Sequence, residues 1–308
     1  MRCLPCDRTY CELECSTICG NKYVKLDLEY GVADRLAALF KHFAVAAHTF
    51  HAGALCGINS LGNEEGLGQL HLVRSGVVDV FHGNADPVRI EVPSLLLYPR
   101  PLPRRFVTDA ETGADMVCAD LRFEGGTANP LLAGLPEAVY LPLERLPESV
   151  PVLTLLFSEA SSTKCGRQRI LDSLFEVLLV QILRELMEQS VVGTGMLAGM
   201  GHQKLRKALV AMHDEPAKSW PLEELAQSAG MSRTVFANTF RDVVGVTPGQ
   251  YLQTWRIGIA QKLLERGAPL RHIADETGYA DEAALSRAFK ATTGLSPREW
   301  RKLQAPLN

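Results

Sequence analysis

The 308-residue sequence has no long apolar run. Its most apolar segment, residues 174–183, is interrupted by Glu176 and Gln181. That falls well short of the roughly 20 residues a membrane-spanning helix requires. The N-terminus has no extended apolar stretch of the secretory type, so a cytoplasmic protein is the expectation. An excess of basic charge is also missing: the net charge is -3, weak footing by itself for a nucleic-acid partner. Cysteine is sparse beyond the first nineteen residues. Cys3, Cys6, Cys11, Cys15 and Cys19 crowd the start, and only Cys56, Cys118 and Cys165 follow. No second Cys or His pair follows at zinc spacing, so the Cys3-to-Cys6 CxxC is a weak metal or redox signal. Residues 1–26 read as a disordered, Cys-rich leader.

What remains is 46% hydrophobic and 22% charged, the balance of an ordinary globular chain with room for two cores. Its charge is unevenly spread. From Met200 onward there are 15 Lys+Arg against 11 Asp+Glu, whereas the preceding 199 residues hold 17 against 24. Phosphate attraction, if the chain uses it, belongs to the C-terminal third.

That third contains one pattern twice. PLEELAQSAGMSRTVFANTFRDVVGVTP occupies residues 221–248, and PLRHIADETGYADEAALSRAFKATTGLSP occupies residues 269–297. Leu222, Leu225, Ala226, Gly230, Phe240, Gly245 and Pro248 recur as Leu270, Ile273, Ala274, Gly278, Phe289, Gly294 and Pro297. An offset of about 48 residues is the period of a duplicated supersecondary unit. Each copy reads as helix, tight turn at Gly, second helix, which is a helix-turn-helix.

Ser232 and Asp281 are placed to cap the second helix of each copy. In the first copy Val235, Phe236, Phe240 and Val243 form the core face, leaving Arg233, Thr234, Ala237, Asn238 and Arg241 outward. In the second, Leu285, Ala288 and Phe289 face inward, leaving Glu282, Ala283, Ser286, Arg287 and Lys290 outward. A linker helix over residues 248–266 joins the copies. An entry helix over 202–213 precedes them, and a short closing helix starts at Ser296.

The first half has a different period. A helix over residues 31–43 carries Val32, Leu36, Leu39, Phe40 and Phe43 on one face. Short runs at 69–73, 77–81, 88–92, 94–98 and 116–121 then follow, separated by Gly, Asn, Asp and Pro, as in a small barrel or jelly roll. Residues 167–189 form one long helix whose apolar stripe is wider than one small barrel needs, which points to burial or to pairing with a second copy. Four glycines in residues 193–201 read as a flexible junction. The fold class is therefore α+β in two domains: a β-barrel or jelly roll over 27–160, a helix and linker over 165–201, and an all-α double helix-turn-helix domain over 202–305.

HIADETGYADEAALSRAFKATTGLSPREWR closely resembles the signature of AraC/XylS transcriptional regulators. LHLVRSGVVDVFHG, PVRIEVPSLLLYPRPLPRRF, VCADLRF and NPLLAGLPEAVYLPL more loosely resemble the cupin-like sensor domain of such regulators. The first resemblance implies promoter DNA as partner, with base or phosphate contacts from Arg233, Thr234, Ala237, Asn238, Arg241, Glu282, Ala283, Ser286, Arg287 and Lys290. Arg287 and Asn238 have the chemistry to read guanine and adenine. Arg241 and Lys290 suit phosphate.

The family also implies a homodimer, contact with RNA polymerase, and a small-molecule effector or an oxidant. The barrel interior is the expected effector pocket. Cys56 and Cys118 are the candidate sensor thiols, because oxidant-sensing RclR-like members carry a Cys in a similar VCxxLRF setting. His71 stands without a following HxH, and Arg104 or Arg105 occupies the position of the cupin's later His. No metal, cofactor or catalytic residue is therefore assigned. A metal-dependent cupin enzyme fused to a DNA-binding domain, and a ligand-independent DNA binder, remain the alternatives.

Overall fold

A computed structural model describes residues 34–61, 66–83, 86–126, 129–189 and 193–304. The cysteine leader, and Val32 in the first predicted helix, lie outside them. That helix is short, α1 (Ala37–His42), with Leu39 buried in its middle and Leu36 and Phe43 buried just beyond its ends.

Nine strands follow among the described residues. They are β1 (Val45–Leu55), β2 (Ile58–Leu61), β3 (Gly68–Ser75), β4 (Val78–Phe81), β5 (Val88–Ile90), β6 (Ser94–Tyr98), β7 (Arg104–Val107), β8 (Ala114–Phe123) and β9 (Val139–Pro142). The predicted runs fall on β3, β4, β5, β6 and β8. Their spacing did not show β1, whose sequence VAAHTFHAGAL is rich in Ala, a poor strand former.

All pairings among these strands are antiparallel. One sheet has the order β1-β8-β3-β6-β9 and the other β2-β7-β4-β5. Side-chain alternation divides the larger sheet between two environments. Val73, Leu96, Tyr98, Met116 and Cys118 meet Val78, Val80, Ile90 and Phe106 of the smaller sheet. Leu70, Leu72, Leu95, Leu97, Val117, Ala119 and Leu121 face the helices. Both faces being covered, β6 is buried at every position and shows no polar alternation.

Two helices cover the outer face: α3 (Val150–Ala160), which the sequence reading did not separate, and α4 (Arg167–Glu188). The carboxylates that interrupt the apolar stripe of α4 have a task. β1 is an edge strand with free amides. Asp172 accepts the N–H of Thr49 at 2.7 Å, and Glu176 accepts that of Ala47 at 3.3 Å. The wide stripe is largely consumed inside the chain: Leu171, Phe175, Leu178, Leu179, Ile182, Leu183, Leu186 and Met187 are all buried. The apolar width of α4 therefore no longer argues for a dimer. Only Ile170 and Val177 of this helix remain as exposed large hydrophobics.

The flexible junction expected over residues 193–201 is corrected. Residues Met196–Gly201 form a helix, α5, with Met196, Leu197, Gly199 and Met200 buried. The glycines here serve close approach. A Cβ on Gly199 would meet Leu209 at 2.6 Å and Val244 at 2.9 Å, and one on Gly201 would meet the Met187 carbonyl oxygen at 2.3 Å.

The entry helix is α6 (Leu205–Asp214), starting three residues later than expected. His202 stays outside it, its Nδ1 accepting the Leu205 N–H at 3.2 Å. Then come α7 (Leu222–Ser228), α8 (Arg233–Val244), α9 (Pro248–Glu265), α10 (Leu270–Thr277), α11 (Glu282–Thr293) and α12 (Pro297–Gln304).

Candidate nucleic-acid interface

Each of the two repeats builds its exposed helix by the same local chemistry. Ser232 has extended backbone and its side chain accepts the Val235 N–H, so the first free amides of α8 have a partner. Asp281 does the same for Ala284 at 2.6 Å at the start of α11. Both helices stop at a glycine in the left-handed region, Gly245 at φ 88° and Gly294 at φ 80°. The turn glycine of the second repeat, Gly278, has a second constraint: a Cβ there would lie 2.2 Å from the Ala217 carbonyl oxygen.

These helix starts and stops orient the faces. Phe236, Phe240 and Val244 of α8 and Leu285 and Phe289 of α11 are buried. Arg233, Thr234, Asn238 and Arg241 are exposed on α8, with Ala237 half-buried. Glu282, Ala283, Arg287 and Lys290 are exposed on α11, with Ser286 half-buried. One assignment is corrected. Val235 was placed on the core face, but it is 51% exposed, because it sits one residue before Phe236 and so turns about 100° away from it. Arg233 lies 3.9 Å from Glu223, a long and exposed ion pair that leaves its guanidinium available.

The two exposed faces are held by α9. Thr247 and Gln250 form a reciprocal capping box at its start, with Pro248 in the first turn. Tyr251, Leu252, Trp255 and Ile259 of this helix join the core containing α8, while Ile257, Ala260 and Leu264 join the core containing α11. One unbroken helix thus positions both repeats.

The same helix is anchored to the first module. Lys262, almost fully buried, sits 2.9 Å from Glu124 at the end of β8 and donates to the His42 carbonyl oxygen. Arg266 reaches the other Glu124 oxygen at 2.7 Å. Burial by itself would raise the Glu124 carboxyl. Lys262, the Ala44 N–H and Arg266 outweigh it and hold the group below its ordinary range. Next to this anchor His213 stacks on Trp255 at 3.8 Å between centroids and bonds the Tyr251 hydroxyl at 2.7 Å. Burial, and secondarily His42, push its pKa down to about 3.

Inside the sheets, the candidate sensor residues lie apart. Cys118 is buried opposite His71 in the β3–β8 register. Burial pushes its thiol well above the ordinary range, against weaker help from Arg104, so it is not poised as a thiolate. Cys56 is exposed, in the turn between β1 and β2. Leu55 pairs with Ala114 and His51 with Cys118. Cys56 is therefore about 13 Å or more from Cys118 along the strands. A disulfide between them would require the sheet to open. Cys165 is exposed as well, just before α4.

Arg104 is buried inside the barrel beside His71. Its guanidinium lies over the Tyr98 ring at 3.7 Å, donates to His71 Nε2 at 2.8 Å and bonds Gln69. Arginine only donates, so His71 is neutral and accepts through Nε2, leaving no lone pair there for a cation. Burial lowers the pKa of His71 well below its usual value, and Arg104 adds to this. Burial also pulls Arg104 down to about 10. Among the described residues no group of three His, Cys, Asp or Glu side chains is arranged to hold a metal ion. No described helix is long and apolar enough to cross a membrane.

Residues 34–188 match the family model described as Cupin, and residues 225–303 match one described as Helix-turn-helix domain. An AraC-like transcription regulator of Streptomyces antibioticus is 36% identical over 181 residues, covering 57% of this chain and 59% of that protein. The HTH-type transcriptional regulator AlkR of Acinetobacter baylyi is 34% identical over 179 residues, covering 56% and 58%. The RCS-specific HTH-type transcriptional activator RclR of Escherichia coli is 31% identical over 195 residues, covering 61% and 67%. Among solved structures, ToxT of Vibrio cholerae bound to an unsaturated fatty acid aligns over 86% of this chain and 96% of its own at 14% identity, with a TM-score of 0.39.

Proposed function

Because the chain belongs to the AraC-like transcriptional regulators that join a cupin domain to a helix-turn-helix domain, we propose that it binds promoter DNA in a sequence-specific way through α8 and α11. The observation that carries this reading is the pair of exposed helices, alike in cap, stop and outward face, held by the single helix α9. Helices so joined suit two successive major grooves on one face of the duplex, roughly 34 Å apart. Arg287 has the bidentate geometry for guanine and Asn238 that for adenine. Arg233, Thr234, Ser286, Arg241 and Lys290 serve phosphate or flanking bases. Ala237 and Ala283 suit a thymine methyl. Glu282 disfavours phosphate and suits a cytosine amine.

The cupin module in this reading controls the DNA-binding module and performs no chemistry of its own. Arg104 in the place of a metal ligand favours that over the metal-dependent enzyme. The protein acts in the cytoplasm, as a homodimer, and activates transcription through contact with RNA polymerase. Its signal is a small molecule or an oxidant. The burial of Cys118 favours the small molecule, and it leaves Cys56 as the more accessible thiol.

The test uses a duplex selected by the full chain from a randomised pool and a set of single-base variants of it. Arg287→Ala should cost about 1–3 kcal/mol on the parent duplex and flatten discrimination at one base pair. Lys290→Ala should weaken all duplexes alike and lower the salt dependence by about one unit. If Arg287→Ala weakens every duplex equally, its base-reading role is lost. If the chain selects no duplex at all, the function is lost.

A further inference from the structure

The first module, α9 and the ends of both exposed helices meet around a cavity of about 570 Å³. Asn129, Pro130, Ala133 and Gly134, at and beside the short helix α2 (Pro130–Gly134), border it from the first module. Tyr251, Trp255 and Gln261 border it from α9, Val244 and Val246 from the end of α8, and Thr292, Thr293 and Leu295 from the end of α11. Its size lies within the range of small-molecule sites, roughly 300–1,000 Å³.

Two features of its lining define the chemistry of an occupant. First, none of the described residues bordering the cavity is Asp, Glu, Lys, Arg or His. An ionised ligand would lose its water with no opposite charge to replace it, so the site favours a neutral molecule. Second, the polar groups in the lining are unevenly satisfied. Asn129 donates to the Glu124 carbonyl oxygen and accepts the Leu131 N–H. Tyr251 bonds His213, Thr254 donates to Gln250, and Thr293 donates to Phe289. The indole N–H of Trp255, by contrast, is buried with no partner among the described residues. Buried donors of this kind are rarely left without an acceptor. Gln261, nine-tenths buried at the same cavity, adds an amide able to donate and accept.

We propose that this cavity binds an uncharged, largely apolar small molecule carrying a carbonyl-type oxygen, which accepts from Trp255 and Gln261, and that its occupation changes the affinity for DNA. The assignment rests on the reading of the chain as a regulated DNA-binding protein and gives that regulation a site. Its physical basis is position. A molecule there touches the first module, the helix that spaces the two repeats, and the C-terminal end of each exposed helix. Any difference in its fit between two spacings of α8 and α11 appears as coupling to DNA, by an equal factor in both directions.

The experiment uses the full chain and two fluorescent probes of similar aromatic bulk. One is prodan, a neutral naphthalene with one ketone, and the other is anilinonaphthalene sulfonate, an anion. Prodan should bind saturably at one site, and the sulfonate roughly tenfold or more weaker. Ala133→Trp adds bulk from an exposed position on α2. It should weaken prodan roughly tenfold with an unchanged melting curve, a difference of about 1.4 kcal/mol. Trp255→Phe keeps an aromatic ring and removes the N–H, and should weaken prodan about two- to tenfold. Saturating prodan should shift the affinity for the selected duplex at least about threefold.

Equal binding of both probes, or prodan affinity unchanged in both variants, overturns the site. Prodan bound as expected with DNA affinity unmoved overturns the coupling. A chain that selects a duplex but does not bind prodan loses the cavity proposal and keeps its function. A chain that binds prodan in the expected pattern but selects no duplex keeps the cavity and loses the function.

Discussion

Leu225, Ala226, Phe236 and Phe240 of the first repeat are buried in a core that runs without a break into the first module, through Trp255 and Phe43 to Leu121 and Phe175. Their counterparts in the second repeat, Ile273, Ala274, Leu285 and Phe289, share a separate core with Ile257, Ala260, Leu264 and Trp300. The two repeats use the same pattern of residues, so their own sequence does not cause the difference. Its cause is the surroundings: α5 and α6 attach the first repeat to the sheet domain, whereas the second is attached through α9, the Glu124 anchor beside it and the close approach of Gly278 to Ala217. The first repeat thus shares its core with the sheet domain, and the second keeps a core of its own. The proposed cavity is bordered by α9, which enters both cores, and by the end of α11, which belongs to the second.

The largest test of the contrast removes matching aromatics. Phe240→Ala and Phe289→Ala should each cost about 3–5 kcal/mol. Phe240→Ala should lower the melting of the whole described chain in one transition. Phe289→Ala should instead split off an early transition, with loss of hydrogen-exchange protection confined to residues 257–300. Identical single transitions for both variants would abolish the distinction.

A test of the shared side uses pH. The folded pKa of His213, about 3, lies below the unfolded value of 6.5, so the unfolded chain binds the extra proton between those limits. Stability is therefore complete above pH 6.5 and falls as the pH drops through the window toward 3. The expected loss between pH 6.5 and 5 is about 2 kcal/mol. His213→Gln should flatten that slope in urea titrations, and an unchanged slope would remove His213 as its source. Because the His213 stack on Trp255 lies in the first core, the second repeat should keep its exchange protection longest in acid.

The smallest test compares caps. Ser232→Ala and Asp281→Ala should each cost about 1 kcal/mol in urea denaturation. Asp281→Ala should cost slightly more, because its bond is shorter and carries charge. A larger loss at Ser232 would mean that the first repeat's end is stressed by its attachment.

The repeats were legible in the sequence because their signals are local. Caps, stop glycines and a 3.6-residue apolar period act over fewer than fifteen residues. The strands with strong β-formers were legible for the same reason. β1 was not, because its backbone pairs with β8 some seventy residues away and its edge is finished by carboxylates on α4. The role of the glycines of α5 is not legible in the sequence for a related reason. Glycine supplies flexibility in open chain and close approach in a packed one, and only the neighbours Leu209, Val244 and Met187 distinguish the two. Val235 shows the limit at single-residue scale, where an apolar side chain adjacent to the true core face looks like part of it. The cavity could not be read at all, since its lining is drawn from stretches more than 150 residues apart.

The sequence by itself determined that this chain has a sheet-rich half and a duplicated helical half, and, Val235 aside, which residues of α8 and α11 face outward. Each of those follows from periodicity and capping within a single element. Tertiary structure alone decided that α4 is covered by its own chain, that Arg104 is buried in the barrel beside His71, that the two repeats lie in different cores, and that the Trp255 N–H has no partner among the described residues beside a cavity whose described lining carries no charge. Those outcomes depend on which distant surfaces meet. Burial, charge pairing and hydrogen-bond satisfaction are properties of the meeting, and no one stretch of residues contains them.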